Sequence, residues 1–403
     1  MKILQIDVNC KGSSTGKIAY DLYSYAVSRG AECAVCYGRG PRIKEKNIYK
    51  FGLDWETDLH ALLTRLTGRT GCYSFFSTRR LIRFIKRFRP DVIHIHELHA
   101  YFVNIKPLLN FIAKAQIPAV WTFHCEFMYT GKCGHADECT RFTSGCGNCP
   151  QLGEYPKTLF FDRTAKMFAE KKALFEKLQK LVIVTPSAWL KERVKLSFLK
   201  DRDVRVVHNG IDTEIFRPRN ADALRKEYHI AADEKVVLSV APDIMSERKG
   251  GKSVLKLAEK FRGEKVKFVL VGVSDCAAPR EKNVVFVPQI RDQEKLAEFY
   301  SMADVFVICS KKETFSLVCA EAQCCGLPVV GFKAGAPEEI SLPEYSVFAE
   351  QGDFVSIENG VRRFLGNSAD KEVLRRAAVD RYAEKNMCKK YFALYEEMTR
   401  HNG

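Results

Sequence analysis

The chain has 403 residues, of which 46% are apolar and 28% charged, with no low-complexity tract. This composition excludes a fibrous or disordered protein and indicates about two globular domains. The net charge of +15 favours polyanionic partners such as nucleic acid, anionic lipid headgroups or diphosphates.

The N-terminal segment and the lengths of the apolar runs predict a soluble protein, located in the cytosol or at a membrane surface. Residues 1–8 are typical of a first strand rather than a signal peptide. No apolar run approaches the roughly 18 residues that a membrane-spanning helix needs. The 15 cysteines are therefore expected to be mostly reduced.

Predicted strands alternate with helix-length segments along the whole chain, the pattern of doubly wound α/β units. In the first half they cover 3–8, 32–37, 92–95, 119–123, 181–184 and 204–207. In the second half they cover 235–240, 267–271, 284–286, 305–308 and 328–330. The turn-forming Asn209-Gly210 and the helix-breaking Pro218 indicate a domain boundary, so two Rossmann-like sheets are expected. Residues 371–400 are predicted to be helical.

A glycine-containing loop, with Gly12 and Gly16, follows the first predicted strand. Glycine lets backbone amides approach a phosphate or a sugar closely. The loop lacks both GxGxxG and the P-loop pattern, so an ordinary strand-to-helix turn stays an alternative.

A basic amphipathic helix is predicted at 79–89, just before Pro90. Its apolar side chains share one arc and most of its six cations the opposite one. The helix either packs on the sheet or lies on an anionic membrane, and its cationic face can meet lipid headgroups in both cases.

Histidines mark the ends of two neighbouring predicted strands. His124 ends one strand, where it has either a structural role or a place in the site. His94, His96 and His99 crowd the end of the other, and we expect them to lie behind the site or on its acceptor side.

A cysteine-rich segment at 125–156 follows His124 directly. Cys133, Cys139, Cys146 and Cys149 have the spacing C-x5-C-x6-C-x2-C. Structural zinc bound by four thiolates, a reversible disulfide pair and unligated thiols are the alternatives.

Two adjacent cations, Arg248 and Lys249, precede Gly250 and Gly251 after the first strand of the second half. Arg and Lys donors at a helix start suit a diphosphate leaving group, because they stabilise its developing charge. The alternative is a solvated basic turn.

Two carboxylates, Glu313 and Glu321, lie eight residues apart after the predicted strand 305–308. A helix beginning near Phe315 would place Glu321 about a turn and a half further in. Backbone N–H groups at that helix start would receive a diphosphate, with one carboxylate on a sugar and the other on a ribose.

These motifs resemble those of retaining glycosyltransferases of the GT-B fold, in particular glycosyltransferase family 4. The similarity rests on Lys249-Gly250, on the E-x7-E pair Glu313 and Glu321, and on the trailing Gly326-Leu327-Pro328. Two departures stand out, since Asp243 occupies the position of the family's arginine and Ser316 that of a glycine.

The resemblance implies an α/β protein with two Rossmann-like domains facing a central cleft. It implies an N-terminal acceptor domain at 1–207 and a C-terminal nucleotide-sugar domain at 208–385. A last helix at 386–403 is expected to cross back and pack on the N-terminal domain.

The resemblance also implies residue roles. Glu313, Lys249 and His124 would carry catalysis, with Glu313 on sugar hydroxyls, Lys249 and Arg248 on the diphosphate, and His124 on the transferred sugar. Glu321 would bind the ribose. The other donor-binding positions would be Gly12, Gly16, Thr314, Phe315 and Ser316.

The function so implied is transfer of a sugar, with retention, from a UDP- or GDP-linked donor to a glycan or polyprenyl-diphosphate-linked acceptor. The resemblance is to enzymes of bacterial exopolysaccharide synthesis, which act in the cytoplasm or at the inner face of the membrane. No catalytic cofactor is expected, and no nucleic acid. The alternatives are a GT-B sugar-nucleotide epimerase and a zinc-containing nucleic-acid-binding protein.

Overall fold

The computed structural model describes residues 1–273, 281–367 and 370–400. The chain forms two compact units. Unit 1 comprises Met1–His208 and Met387–Gly403, and unit 2 comprises Asn209–Asn386. The last three residues of the predicted C-terminal segment lie outside the described ones.

Unit 1 is built on a parallel seven-stranded sheet with the order β3-β2-β1-β4-β5-β6-β7. Its strands are β1 (Lys2–Asp7), β2 (Glu32–Tyr37), β3 (Ile48–Lys50), β4 (Val92–Ile95), β5 (Ala119–Thr122), β6 (Leu181–Thr185) and β7 (Val204–Val206). The chain reverses direction across the sheet between β1 and β4, where Leu4 lies opposite both Ala34 and Ile93. Ligands of such sheets bind at this switch point, beyond the carboxyl ends of the strands.

Helices cover both faces of this sheet, and most of them present an apolar stripe to it. They are α1 (Ser14–Ser28), α2 (Asp54–Thr67), α3 (Phe75–Phe88), α4 (Ile105–Lys114), α5 (Thr164–Lys177) and α6 (Ala188–Lys195). A single 3-10 turn lies at Arg141–Thr143. Leu81, Ile85 and Phe88 of α3 are buried in the main core of unit 1.

Unit 2 repeats the plan with a parallel six-stranded sheet in the order β10-β9-β8-β11-β12-β13. Its strands are β8 (Lys235–Val240), β9 (Val266–Val271), β10 (Val284–Val287), β11 (Val305–Ile308), β12 (Val329–Phe332) and β13 (Ser346–Ala349). Its helices are α7 (Asp222–Glu227), α8 (Gly251–Glu259), α9 (Gln293–Met302), α10 (Leu317–Cys324), α11 (Pro337–Ile340), α12 (Phe354–Gly366) and α13 (Lys371–Tyr382), with a 3-10 turn at Pro343–Tyr345. The switch point here lies between β8 and β11.

The helical stretch predicted at 371–400 is two helices rather than one. Ala383 has extended backbone (φ −52°, ψ 130°) and pairs with Ile211, so α13 ends and α14 (Glu384–Arg400) begins there. From Met387 onward α14 belongs to unit 1, where Tyr391 and Tyr395 are buried.

The basic helix proves to be α3, and its apolar arc faces the core. Arg79, Arg83 and Arg87 are exposed, as the amphipathic pattern predicts. Arg80 is only partly exposed, because its guanidinium donates to the carbonyl of Lys50 at 3.3 Å. Among the described residues, no helix is long and apolar enough to cross a membrane.

Candidate active site

Two loops meet at the switch point of unit 2. One follows β8 and carries Arg248 to Gly250, and the other follows β11 and carries Glu313. The backbone N–H of Lys311 donates to the carbonyl of Arg248 at 2.9 Å. Gly250 has φ +76°, and a Cβ there would lie 2.0 Å from the carbonyl oxygen of Cys309. Only glycine permits this close approach.

The two loops bring Lys249 and Glu313 into contact, although they are 64 residues apart. Lys249 Nζ donates to Glu313 Oε1 at 2.7 Å, and each side chain is 16% exposed. Burial raises the pKa of Glu313, but the charges of Lys249 and Arg248 outweigh it and hold the pKa below its usual range. Glu313 is therefore a carboxylate at neutral pH, flanked by two cations.

The backbone of Glu313 is also fixed. Its N–H donates to the carbonyl of Ala334 at 2.8 Å, and its carbonyl accepts from Ala336 N at 3.1 Å. The residue thus forms an isolated bridge beside Gly335, in the loop after β12. Three loops at the carboxyl end of this sheet therefore hold one carboxylate in place.

Helix α10 begins at Leu317, two residues later than the sequence predicts. Ser316 precedes it in the left-handed region (φ 81°, ψ 76°), which explains why the family has glycine at this position. Glu321 consequently lies little more than one turn into the helix. Its Oε2 accepts a hydrogen bond from the buried Tyr300 at 2.9 Å, a partner that the sequence did not indicate.

The remaining predicted donor residues of unit 2 behave differently. Thr314 is partly exposed between Glu313 and α10, whereas Phe315 is 3% exposed and packs its ring on Tyr382. Only the backbone of Phe315 can therefore meet a ligand. Asp243, in the position of the family's arginine, is exposed and has φ 49°.

In unit 1 the predicted glycine loop leads from β1 into α1. The Oγ of Ser13 caps the helix by accepting from Gly16 N at 3.0 Å. A Cβ on Gly16 would lie 3.1 Å from the backbone of Asn9, whereas one on Gly12 would meet nothing closer than 3.9 Å. The residue of this loop with a left-handed backbone conformation is Lys11 (φ 64°). Glycine at position 16 is therefore needed for close packing and not for an unusual backbone angle.

His124 lies in a histidine network at the carboxyl ends of β4 and β5. His96 Nε2 donates to the amide oxygen of Gln5 at 3.0 Å, so Nδ1 of His96 accepts from His124 Nε2 at 3.2 Å. Burial lowers the pKa of His124 to about 4 and that of His96 well below its usual value, and both imidazoles are neutral at pH 7. His94 is instead hydrogen-bonded to Tyr395 of α14 and to Thr122 of β5.

A group beside His124 was not predicted from the sequence. His99 Nε2 lies 2.7 Å from Glu97 Oε2, and the Cys125 thiol donates to the same oxygen at 3.3 Å. Burial lowers the pKa of His99, but the carboxylate outweighs it and raises that pKa well above its usual value. Within the described ranges, these three side chains are the group whose ligand atoms all lie within 4.8 Å, so they could hold a metal ion. The sequence shows His99 near the end of a strand, Glu97 next to His96 and Cys125 next to His124, but no spacing pattern connects the three.

The cysteine quartet contains one thiol pair. The Cys133 thiol donates to the side-chain oxygen of Gln151 at 3.4 Å. Its interaction with Cys149 raises the pKa of Cys133 and lowers that of Cys149. Cys146 Sγ accepts from Gly131 N at 3.1 Å, apart from that pair. Four-cysteine zinc binding remains a prediction.

The fold and the unit 2 site together define a class of protein. Each unit has the central strand order of a Rossmann fold, and unit 2 holds cations and a carboxylate at its switch point. Two such units in one chain are the GT-B architecture. Sucrose-phosphate synthase of Thermosynechococcus elongatus has this fold, with a TM-score of 0.70 at 17% identity over 100% of both chains. HepE of Anabaena, solved with UDP-glucose, has a TM-score of 0.65 at 15% identity, over 98% of this chain and 100% of HepE.

The sequence comparisons then give the family. The model described as Glycosyltransferase Family 4 matches residues 15–215, and that described as Glycosyl transferases group 1 matches residues 220–385. The chain belongs to the family 4 glycosyltransferases. A relative named for colanic acid biosynthesis, the glycosyl transferase WcaC of Escherichia coli (strain K12), is 26% identical over 84% of this chain and 85% of its own.

Proposed function

We propose that the protein transfers a hexose, with retention of configuration, from a UDP- or GDP-linked sugar to a glycan or polyprenyl-diphosphate-linked acceptor in bacterial surface polysaccharide synthesis. The colanic acid relative supports the pathway class, and the HepE complex supports a nucleotide-sugar donor. One observation carries the proposal, namely the Lys249–Glu313 pair at the switch point of unit 2.

This pair suits a nucleotide-diphosphate sugar because it presents opposite charges to opposite ends of the reacting bond. Lys249 and Arg248, at the start of α8, would bind the diphosphate. Glu313 would accept hydrogen bonds from sugar hydroxyls. The first N–H groups of α10 have no partner within the helix and would add donors to the phosphate. Glu321, held by Tyr300, would bind the ribose.

The transfer step needs no protein nucleophile. The acceptor oxygen forms a bond to C1 on the face that the leaving oxygen vacates, and the bond from C1 to the diphosphate oxygen breaks. The acceptor proton passes to that leaving oxygen. Cations fixed before the reaction stabilise the charge that develops on the diphosphate. Lys249 and Arg248 are the residues of this chain that would do so.

His124 is proposed as a hydrogen-bonding partner of the transferred sugar. Its pKa of about 4 keeps it neutral, so it would orient a hydroxyl rather than act as a general acid at pH 7. Its ring is oriented through His96 by Gln5.

Nucleotide release from a panel of UDP- and GDP-linked hexoses, with and without a polyprenyl-diphosphate glycan, tests the proposal. We expect release from one donor, stimulated by the acceptor, and an NMR spectrum of the product that shows the anomeric configuration of the donor. An inverted product would contradict retention. Conversion of the donor into its epimer without nucleotide release would identify an epimerase instead.

Lys249→Met should weaken binding of the matching nucleoside diphosphate by about tenfold or more, since it removes a charge-assisted contact. Lys252→Met is the matched control, because Lys252 is exposed in the first turn of the same helix. Equal affinities of the two variants in calorimetry would place the diphosphate elsewhere.

A further inference from the structure

Helix α2 of unit 1 buries its polar side chains and exposes its large apolar ones. Its buried residues are all polar, namely Glu56, Thr57, His60 and Thr64. Its exposed face carries large apolar side chains at a spacing of four, three and four residues, which puts them on one side of the helix. They are Trp55, Leu59, Leu62 and Leu66, each between 41% and 56% exposed.

Hydrogen bonds fix α2 in this orientation. The carboxylate of Glu56 accepts from Phe76 N and Ser77 N, both at 2.8 Å, and so caps the start of α3. His60 Nδ1 lies 2.8 Å from Ser74 Oγ, and its Nε2 accepts from Gly71 N at 3.1 Å. Rotating α2 to bury its apolar face would break all of these hydrogen bonds. It would also leave buried polar groups without hydrogen-bond partners.

The apolar face of α2 continues onto neighbouring segments at both ends. At one end the ring of Trp55 lies 6.0 Å from that of Phe76, which with Phe75 is more than half exposed. At the other end Leu159 N donates to the carbonyl of Arg65. Leu159, Phe160 and Phe161 are themselves 50–69% exposed. We call these nine residues the apolar strip: Trp55, Leu59, Leu62, Leu66, Phe75, Phe76, Leu159, Phe160 and Phe161.

Cations border the apolar strip at both ends. Arg79 and Arg83 are exposed on α3, one and two turns beyond Phe75. Exposed cations at the other end are Arg65, Lys157 and Arg163, the last with its guanidinium 5.4 Å from the Phe161 ring. The exposed carboxylates on the same segments are fewer once ion pairs are considered, because Asp54 is paired with Lys50 at 2.8 Å and Asp58, Glu154 and Asp162 face five cations. The border is therefore predominantly positive.

We propose that the apolar strip is a membrane-docking surface that inserts into the interface of an anionic lipid bilayer. A surface with Trp, Phe and Leu in its centre and Arg or Lys at its border matches the two contributions that hold proteins at such interfaces. A second copy of the chain is a poorer occupant. A two-fold contact would set the same predominantly cationic border against itself, and the exposed Asp58, Glu154 and Asp162 would offset only part of the repulsion.

The surface goes beyond the transfer reaction and does not depend on it. It differs from the amphipathic helix predicted from the sequence, because the apolar arc of α3 is buried in the core. The exposed arginines of α3 supply charge, whereas α2, the first two residues of α3 and the 159–161 segment supply the inserting side chains.

Vesicle binding without any donor tests the proposal. Vesicles of phosphatidylglycerol with phosphatidylethanolamine should sediment the parent protein at low salt, and vesicles of phosphatidylcholine alone should bind it weakly. The tryptophan emission should shift to the blue on binding. Trp55→Phe should bind while losing most of that shift, because Trp121 is buried in the core and the partly buried Trp189 packs against that core.

The decisive variant is Leu59→Ser/Leu62→Ser/Phe160→Ser. We expect its partition onto the anionic vesicles to fall at least about tenfold, because partition scales with the apolar area inserted. The matched control is Val355→Ser/Val373→Ser, which removes exposed apolar side chains (69% and 47%) from unit 2 and should bind as the parent does. Arg79→Gln/Arg83→Gln should reduce the preference for anionic over neutral lipid. Circular dichroism checks that each variant folds.

If the triple variant destabilises unit 1, Phe160→Ser/Phe161→Ser changes only the loop that precedes α5 and should show the same loss. Three results would overturn the proposal: no vesicle binding by the parent, unchanged binding by the folded triple variant, or a parent dimer that this variant dissociates. Failure of every nucleotide sugar as donor would refute the proposed function and leave this surface standing.

Discussion

Ser316 departs from the family pattern, and we expect this departure to lower the stability of unit 2 by a measurable amount. Its φ of 81° lies in the left-handed region, which costs a residue with a side chain roughly 1–2 kcal/mol relative to glycine. Ser316→Gly should therefore raise the free energy of unfolding of unit 2 by about 0.5–1 kcal/mol, after the greater entropy of the unfolded glycine is deducted. Urea denaturation followed by circular dichroism measures this change.

Ser316→Ala is the control for that experiment. It keeps the backbone strain and removes only the hydroxyl, which contacts Cys319 Sγ at 3.1 Å. Alanine should bring no gain in stability. A gain from alanine equal to that from glycine would assign the cost to the buried hydroxyl instead of the backbone.

Glu313→Gln should lower turnover by about 10²–10³-fold, the usual size for loss of an electrostatic contact made in the transition state. Nucleotide affinity should be unchanged or higher, because Lys249 loses its carboxylate partner and becomes more available to phosphate. Single-turnover kinetics and calorimetry with the nucleoside diphosphate separate the two effects. Glu350→Gln, at an exposed ion pair with Lys333, is the control that should change neither. A parallel loss of affinity and turnover would contradict a sugar-binding role.

At the scale of elements, the crossing of two loops in unit 2 depends on Gly250. Gly250→Ala adds a Cβ 2.0 Å from the Cys309 carbonyl, whereas Gly263→Ala, at a similar φ of +83°, meets nothing within 4 Å. Gly263→Ala should cost about 1–2 kcal/mol from backbone strain alone. Gly250→Ala should cost about 1–3 kcal/mol more through overpacking, and should weaken nucleotide binding as well. Thermal unfolding and calorimetry of both variants measure these differences. Equal losses of stability in the two variants would show that the loops rearrange around the added Cβ without a free-energy cost.

Sequence patterns predicted those elements whose formation depends on local residues. Buried parallel strands such as Val305–Ile308 are continuous apolar runs, and the cations before Gly250 stand beside one another in the chain. The edge strands β3 and β13 were not predicted, since Ile48–Lys50 and Ser346–Ala349 are short and only partly apolar. The break at Ala383 follows from its pairing with Ile211, and the polar buried face of α2 follows from Gly71, Ser74 and Ser77. The Lys249–Glu313 contact joins loops 64 residues apart, so periodicity could not show it.

At the scale of the whole molecule, neutral buried histidines should make unit 1 sensitive to acid. Burial lowers the pKa of His60 and of His124 to about 4, against an ordinary value of 6.5. As the pH falls below 6.5, the unfolded chain takes up these protons before the folded one, so stability is full above pH 6.5 and is lost towards pH 4. Each such histidine should lower the free energy of unfolding by about 2 kcal/mol between pH 6.5 and pH 5.

Tryptophan fluorescence can follow this loss in unit 1, because all three tryptophans of the chain lie there. His60→Gln should flatten the dependence of the unfolding free energy on pH over this range, whatever its effect at pH 7. His229→Gln changes an exposed histidine of unit 2 and should leave the slope as it is. An unchanged slope in His60→Gln would mean that His60 has the same pKa in the folded protein as in the unfolded chain.

The return of α14 to unit 1 has a consequence for synthesis on the ribosome. The core of unit 1 begins with Ile3 but is completed by Tyr391 and Tyr395, near the other end of the chain. Unit 2, Asn209–Asn386, is one continuous segment of the chain, so all of it can emerge from the ribosomal exit tunnel and fold before the rest of α14 follows. At about 5–20 residues per second, the nascent first unit waits on the order of 10–40 s for its last helix. The half of the enzyme translated first is therefore the half that finishes folding last, and chaperones have that interval in which to bind its uncovered sheet.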